Sequence, residues 1–144
     1  MPCGGCTLCC KVLLIQPLDK PAGAMCPHAV RDGCSIWSCR PEACQRFFCL
    51  WVTNPDFPPE LRPDRCGMLI EPGGDHVFLV NVDPERPDSW REGIAREFIR
   101  KCMRDGYGVI IQVGTDRYVR VPPGQTAKSI WGRAREDAVR RGYL

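Results

Sequence analysis

Cysteine is the residue whose number and spacing most set this chain apart. The 144 residues include eleven cysteines. Four of them lie close together near the start of the chain, as two overlapping C-x2-C units and one directly following thiol: Cys3, Cys6, Cys9 and Cys10. A C-x2-C turn presents two thiolates together with backbone N–H groups, which is a common way to build half of a metal site. This stretch therefore predicts metal ligation.

A second set of thiols supplies the matching half: Cys26, Cys34, Cys44 and Cys49. The two sets together make eight thiols, the number that two tetrahedral four-ligand sites require. Because adjacent residues of an extended chain point to opposite sides, we expect Cys9 and Cys10 to face different partners, in two centres or in one centre with a neighbouring thiol. His28 could replace one sulfur, although we favour an ordinary loop histidine.

The cysteines alone do not determine which metal is bound. Thiolates suit Zn(II), Cu(I) and iron–sulfur clusters alike. The turn spacing favours zinc, whereas the density of sulfur favours a cluster. The spacing differs from the bacterial ferredoxin run, because here the fourth cysteine follows the third directly. We expect zinc, as two ions, with iron or an iron–sulfur cluster as the alternative.

The elements that must position these thiols are short and lie before residue 54. Nine of the eleven cysteines precede that point, where a proline-rich connector begins. We therefore expect a cysteine-rich metal-binding lobe at residues 1–53 and an α+β lobe at residues 54–144, both within one compact domain. The run at 11–18 predicts a short strand. Pro41 suits the first position of a helix that we expect to end near Leu50.

Periodicity in residues 54–144 predicts two β-hairpins and two helices. Each helix has an apolar stripe, which includes Ile94 in the first helix and Trp131 in the second. This order of elements indicates helices packed on an antiparallel sheet. We expect Cys66 and Cys102 to pack in the core and Cys39 to be a spare thiol. The predicted elements are strands at 67–71, 77–82, 108–113 and 118–121, and helices at 89–105 and 126–141.

Charge and apolar content narrow the classes of function. The net charge of +3 is too small to imply a nucleic-acid partner. The apolar run near the N-terminus, at 12–15, is too short for a secretory signal, and no segment approaches the roughly 18–20 apolar residues of a membrane helix. We expect a cytoplasmic protein whose partners are metal ions. A protein partner is left open, and neither nucleic acid nor a membrane is expected.

The order of the motifs resembles the CxxCxxCC family of zinc- or iron-chelating domains, the YkgJ-like proteins. The resemblance covers roughly residues 3–51. It implies metal chelation by the eight cysteines, with Arg40 and Pro41 shaping the turn before the short helix. Gln45 departs from the family pattern, which usually has arginine there. The matching motifs are Cys3-x2-Cys6-x2-Cys9-Cys10, Cys26-Pro27, Cys34-x-Ile36-Trp37 and Arg40-Pro41-x2-Cys44-x2-Phe47-x-Cys49.

These observations favour a cysteine-ligated protein that binds zinc or iron in a structural, metal-handling or interaction role. They argue against an enzyme, since the sequence has no nucleotide-binding loop and only two histidines, but they do not decide whether the protein is one. Two alternatives remain. One is a redox or enzymatic component that carries an iron–sulfur cluster. The other is a zinc-stabilised nucleic-acid-binding module that uses the basic segment at 117–144.

Overall fold

A computed structural model describes Cys3, residues 5–47 and residues 49–144. Within these residues it has six α-helices and two sheets, so the α+β part of the predicted fold is confirmed. The helices are α1 (Leu8–Val12), α2 (Glu42–Arg46), α3 (Leu50–Thr53), α4 (Pro63–Cys66), α5 (Gly93–Arg104) and α6 (Ala127–Arg140). The strands are β1 (Ala29–Val30), β2 (Gly33–Cys34), β3 (Met68–Pro72), β4 (Val77–Val82), β5 (Gly108–Val113) and β6 (Asp116–Arg120).

The larger sheet has the strand order β3-β4-β5-β6. The outer pairs are the two predicted hairpins, with Met68 opposite Val82 in the first and Val109 opposite Arg120 in the second. The central pair, β4 and β5, is parallel. The predicted all-antiparallel sheet is therefore wrong. The segment containing α5 carries the chain back to the end of the sheet where β4 began, which is the crossover that a parallel pair requires.

Helices cover both faces of this sheet. Successive side chains of a strand point to opposite faces, and accordingly Val109 and Ile111 of β5 pack in the cluster of α5, whereas Ile110 packs in the cluster of α6. The buried stripe of α5 runs through Ala95, Ile99 and Cys102, and that of α6 through Ile130 and Ala134. Two residues expected on these stripes are exposed instead, Ile94 at 41% and Trp131 at 37%.

The N-terminal segment packs on β3. Leu8 and Val12 of α1 form a buried cluster with Leu69 of β3 and with Cys6 and Cys49. The proline-rich connector is ordered and contributes to the larger core. Its Phe57 ring lies 5.7 Å from the Phe98 ring of α5, and its Leu61 is buried in the same cluster. The cysteine-rich segment is therefore held against the sheet by apolar contacts.

Two predicted elements of the cysteine-rich segment are wrong. Residues 11–18 contain the end of α1 and a 3-10 helix at Gln16–Leu18 in place of the predicted strand. Ile15 and Lys20 pair across a tight turn, which Asp19 closes with a φ of 47°. The helix expected from Pro41 to about Leu50 is broken into α2 and α3. Phe47 between them is extended and packs in the cluster with Leu69.

None of the helices in the described ranges is long and apolar enough to cross a bilayer.

Glu71 on β3 is a partly buried carboxyl beside α6. It lines a cavity of about 260 Å³ between β3, α6 and the N-terminal segment. The Asn81 side-chain amide donates to its Oε1 at 3.3 Å. Burial raises the pKa of Glu71 to about 7, with Arg141 opposing the shift and Asp137 adding to it. The ionised form of this carboxylate is therefore disfavoured in the folded protein.

We expect Glu71→Gln to stabilise the protein at pH 8 and to have little effect at pH 4. Folding raises the pKa of this carboxyl, so the group does not destabilise the folded protein below its ordinary pKa of 4.5, where it is protonated in both states. Its contribution to stability is lost as the pH rises to about 7. The difference between the two pH values amounts to about 3 kcal/mol of unfolding free energy. Denaturant unfolding at several pH values measures it, with the exposed Glu60→Gln as the control. Equal effects of Glu71→Gln at both pH values would contradict this expectation.

Candidate metal centre

All eight cysteines predicted as ligands line one cavity of about 120 Å³. A single water needs roughly 10–15 Å³ on the same measure, so the cavity has room for two metal ions. The remaining lining is mostly apolar and includes Leu13, Phe47 and Val52. The cavity therefore combines soft donors with a lining that limits access of water. The eight cysteines are Cys3, Cys6, Cys9, Cys10, Cys26, Cys34, Cys44 and Cys49.

The thiols share a cavity but do not form a closed ligand set. Among the residues that the structure describes, no group of three or more His, Cys, Asp or Glu side chains is placed so that it could hold a metal ion. Metal binding would require the thiols to converge further. The donor chemistry fits a soft metal, since all eight side chains are thiols and the cysteines have no disulfide among the described residues.

Short elements bring the first cysteines to the cavity. The Cys6 backbone N–H donates to the Cys3 carbonyl at 3.1 Å, which closes the first C-x2-C turn. Cys9 and Cys10 both lie on α1. The expectation that they occupy extended chain is therefore wrong. Adjacent helical residues diverge by about 100° rather than 180°, which lets the two thiols hydrogen-bond while each still has its own neighbours.

The other four cysteines lie on four separate segments of the chain. The Cys26 N–H donates to the Cys10 carbonyl at 2.9 Å, which ties this loop to α1. Cys34 ends β2, where it pairs with Ala29 of β1. Cys44 lies on α2 and Cys49 caps the N-terminus of α3. Since β2, α2 and α3 have at most five residues each and Cys26 lies in a loop, the arrangement depends on how these segments pack together.

Electrostatic interactions link the eight thiols in two overlapping sets, which share Cys10. Cys3 interacts chiefly with Cys49 and Cys6. The thiols that interact with Cys44 are a different set: Cys10, Cys26 and Cys34. Cys9 and Cys10 connect the groups through their hydrogen bond, and Cys3 also interacts with Cys10. We call Cys3, Cys6, Cys9 and Cys49 the first thiol group, and Cys10, Cys26, Cys34 and Cys44 the second thiol group.

The two thiols of α1 differ most in acidity. The hydrogen bond between them raises the pKa of Cys9, and burial adds to that shift. The same hydrogen bond lowers the pKa of Cys10 to about 7. Burial acts to raise this pKa, whereas the positive charge of Lys20 acts to lower it. Burial raises the pKa of Cys3 and Cys49. Because a metal binds the thiolate, ligation by these buried thiols would release protons.

Lys20 is a buried charged residue beside the end of α1 that sequence reasoning missed. It is only 3% exposed. Its Nζ donates to the Lys11 carbonyl at 2.7 Å and also to the Leu13 carbonyl. Within the described ranges it forms no ion pair with a carboxylate. A lysine between Asp19 and Pro21 has no sequence signal for burial, since the turn that folds it back is visible only in the structure.

The thiols that interact electrostatically with Lys20 are Cys26, Cys10, Cys9 and Cys44. Three of the four belong to the second thiol group. Burial lowers the pKa of Lys20, and these thiols oppose the shift.

The three other cysteines lie away from the cavity lining. Cys39 is exposed. Cys102 is buried in the cluster of α5, and burial raises its pKa to about 12. Cys66 is buried in the same cluster, where its thiol donates to the Leu61 and Met68 carbonyls at 3.5 and 3.4 Å. The expectation that Cys66 and Cys102 pack in the core is confirmed. His28 lines the cavity, so its position leaves the choice between ligand and loop histidine open.

Aromatic and basic side chains flank the second thiol group. The Arg40 guanidinium lies 3.7 Å from the centre of the Trp37 ring, and its Nη1 donates to the Trp37 carbonyl at 2.6 Å. Its Nε donates to the Cys44 carbonyl at 3.5 Å. Arg40 thus links the 3-10 helix at Trp37–Cys39 to α2.

Comparisons with known proteins provide no relative for this chain. A scan against protein-family models finds no match, and searches of curated proteins and of solved structures find no similar protein.

Proposed function

We propose that this chain is a cysteine-ligated metal-binding protein, related to the CxxCxxCC chelating domains that its motifs resemble. The observation that supports the proposal is that all eight motif cysteines line one largely apolar cavity. Cysteine is rare in most proteins, and eight thiols from segments spread over 47 residues lining one cavity is the arrangement that a soft metal would stabilise.

Zinc, as two ions, is the favoured metal. Zinc accepts four thiolates in a tetrahedral site, and eight thiols in two groups of four match two such sites. Once bound, the metal would cross-link the first and second thiol groups to their short elements. Leu13, Phe47 and Val52 would shield the sulfur atoms from water. The role that follows is structural or metal-handling rather than catalytic.

Matched cysteine variants test this proposal. We expect protein purified without oxygen to be colourless and to contain close to two equivalents of zinc. Cys26→Ser and Cys49→Ser should each lose about one equivalent, because each removes one ligand from a different group. Cys39→Ser, which changes an exposed thiol away from the cavity, should keep both. Metal content by elemental analysis and the absorption spectrum measure these outcomes.

Three results would change the proposal. A brown protein that contains iron and sulfide would establish the iron–sulfur alternative. Folded wild-type protein without metal would contradict metal binding altogether. Equal loss from Cys39→Ser and Cys26→Ser would contradict the assignment of ligands to the cavity.

A further inference from the structure

We infer that the cavity between β3, α6 and the N-terminal segment binds a small organic ammonium ion. The charged group of this ligand pairs with Glu71, and its apolar body packs against the aliphatic and aromatic lining. No thiol among the described residues lines this cavity. The inference therefore adds a second ligand site to the chain, beyond the proposed metal centre.

The cavity is large enough for an aromatic ring that carries a short side chain. Its volume is about 260 Å³, whereas a cavity of about 150 Å³ holds benzene. Leu14 and Tyr143 line it and are 59% and 52% exposed, so solvent reaches the cavity on their side. The apolar lining is supplied by the N-terminal segment, the first hairpin and the C-terminal segment: Leu13, Leu14, Ala43, Phe47, Pro72, Leu79, Ala134, Ala138 and Tyr143.

The β3–β4 turn holds the polar end of the cavity against α6. Glu71 and Leu79 lie opposite each other in the hairpin, and both line the cavity. A Cβ atom at Gly74 would lie only 2.7 Å from the Arg133 carbonyl oxygen of α6. Glycine thus permits a backbone approach that a larger residue would block. The position of Glu71 relative to α6 is therefore set by backbone contact.

The charged residues of the cavity leave Glu71 without a cation of its own. Asp137 is buried, and its two oxygens are engaged by Arg140 Nη2 at 2.7 Å and by Arg141 Nε at 2.6 Å. Glu71 forms no ion pair with any described residue, and its hydrogen bond comes from the neutral Asn81 amide. A buried charge is costly unless it is paired. A bound ammonium would supply the missing partner.

The chemistry of Glu71 indicates the class of ligand. An ionised carboxylate only accepts hydrogen bonds, so the matching group is a cation with N–H donors. An anion would face Glu71 and Asp137, while Arg141 is already engaged by Asp137. The gain in stability expected for Glu71→Gln at pH 8 also means that the native carboxyl weakens the fold, which is a common cost of a functional group.

A purely structural role is the competing explanation for Glu71. Its carboxyl accepts a hydrogen bond from Asn81 across the hairpin. Glutamine keeps an oxygen acceptor for Asn81 but carries no charge. Glu71→Gln therefore separates the support of the hairpin from the binding of a cation.

The first test compares three ligands of similar size but different charge, in protein purified without oxygen. They are 2-phenylethylammonium, the neutral 2-phenylethanol and the anionic 3-phenylpropionate, measured by calorimetry at pH 8. We expect the ammonium to bind roughly 10- to 100-fold more tightly than the alcohol, as a hydrogen bond between charged groups provides. The carboxylate should bind most weakly. Equal affinities, tighter binding of the carboxylate, or no binding of the ammonium would overturn the inference.

The second test removes the charge. We expect Glu71→Gln to weaken binding of the ammonium by roughly 10- to 100-fold and to leave binding of the alcohol unchanged. Glu60→Gln, which changes an exposed carboxylate outside the cavity, should bind both ligands as the wild type does. Wild-type affinity of Glu71→Gln for the ammonium would show that Glu71 only supports the hairpin.

The third test fills the cavity. Ala138→Leu should weaken binding of both the ammonium and the alcohol by at least roughly tenfold, because the added methyl groups occupy the space of the ligand. Ala127→Leu is the matched control, since Ala127 is exposed at the start of the same helix. Unchanged binding in Ala138→Leu would place the ligand elsewhere and overturn the inference. If either cavity variant fails to fold, the order of the three wild-type affinities still decides.

Discussion

Removal of the proposed zinc should unfold the cysteine-rich segment while the sheet with α5 and α6 stays folded. The helices of this segment have four or five residues, far fewer than the roughly 12–15 that an isolated helix needs. Structural zinc supplies about 10–16 kcal/mol in small zinc domains, which is comparable to the stability of a whole protein. By contrast, β4, β5, α5 and α6 bury apolar clusters of their own.

Hydrogen exchange followed by mass spectrometry measures this prediction region by region. After chelation, we expect amides at 5–47 to lose nearly all protection, whereas amides of β4 and β5 keep theirs. Added Zn²⁺ should restore the protection. Mg²⁺ should not, since it prefers oxygen ligands and serves as the control. Unchanged protection at 5–47 in chelated protein would show that packing alone holds this segment.

Lys11→Met should cost about 3 kcal/mol of unfolding free energy, within the range seen when one partner of a buried ion pair is removed. Lys11 is buried, and its Nζ lies 2.8 Å from Asp83 Oδ1 and 2.8 Å from Glu85 Oε2. Burial raises the pKa of Asp83, but the bonds from Lys11 and Arg86 outweigh it and lower the pKa overall. The variant would leave Asp83 with Arg86 alone, at 3.4 Å.

Denaturant unfolding of the purified protein measures this cost. Lys101→Met is the matched control, because Lys101 pairs with Asp105 on the exposed surface of α5 and such pairs contribute little. The double variant Lys11→Met with Asp83→Asn should cost less than the sum of the single variants. Additive costs would show that the contact between Lys11 and Asp83 does not fasten α1 to the sheet.

The elements of the sheet could be predicted from the sequence because their signals are local. The apolar runs at 67–71 and 77–82, joined by a turn with two glycines, indicated β3 and β4 without knowledge of their neighbours. The parallel pairing of β4 with β5 could not be predicted in this way. It depends on where α5 packs, which is a tertiary choice that hairpin periodicity does not encode.

The eight cavity cysteines could be identified from spacing, but the backbone between them could not. Segments of four or five residues carry too little periodicity to distinguish helix from strand, so the apolar run after Cys10 was predicted as a strand although α1 continues through Lys11 and Val12. The buried positions of Lys11 and Lys20 also escaped prediction. Lysine is normally exposed, and only the assembled structure places carboxylates around the ammonium of Lys11 and carbonyls around that of Lys20.

X-ray absorption at the metal edge of protein purified without oxygen tests metal binding by the eight cavity cysteines most directly. We expect zinc surrounded by four sulfur atoms at about 2.3 Å, with two zinc ions for each chain. Cys39→Ser should leave the spectrum unchanged. A first shell dominated by nitrogen or oxygen, or a folded protein with no bound metal, would contradict ligation by these thiols.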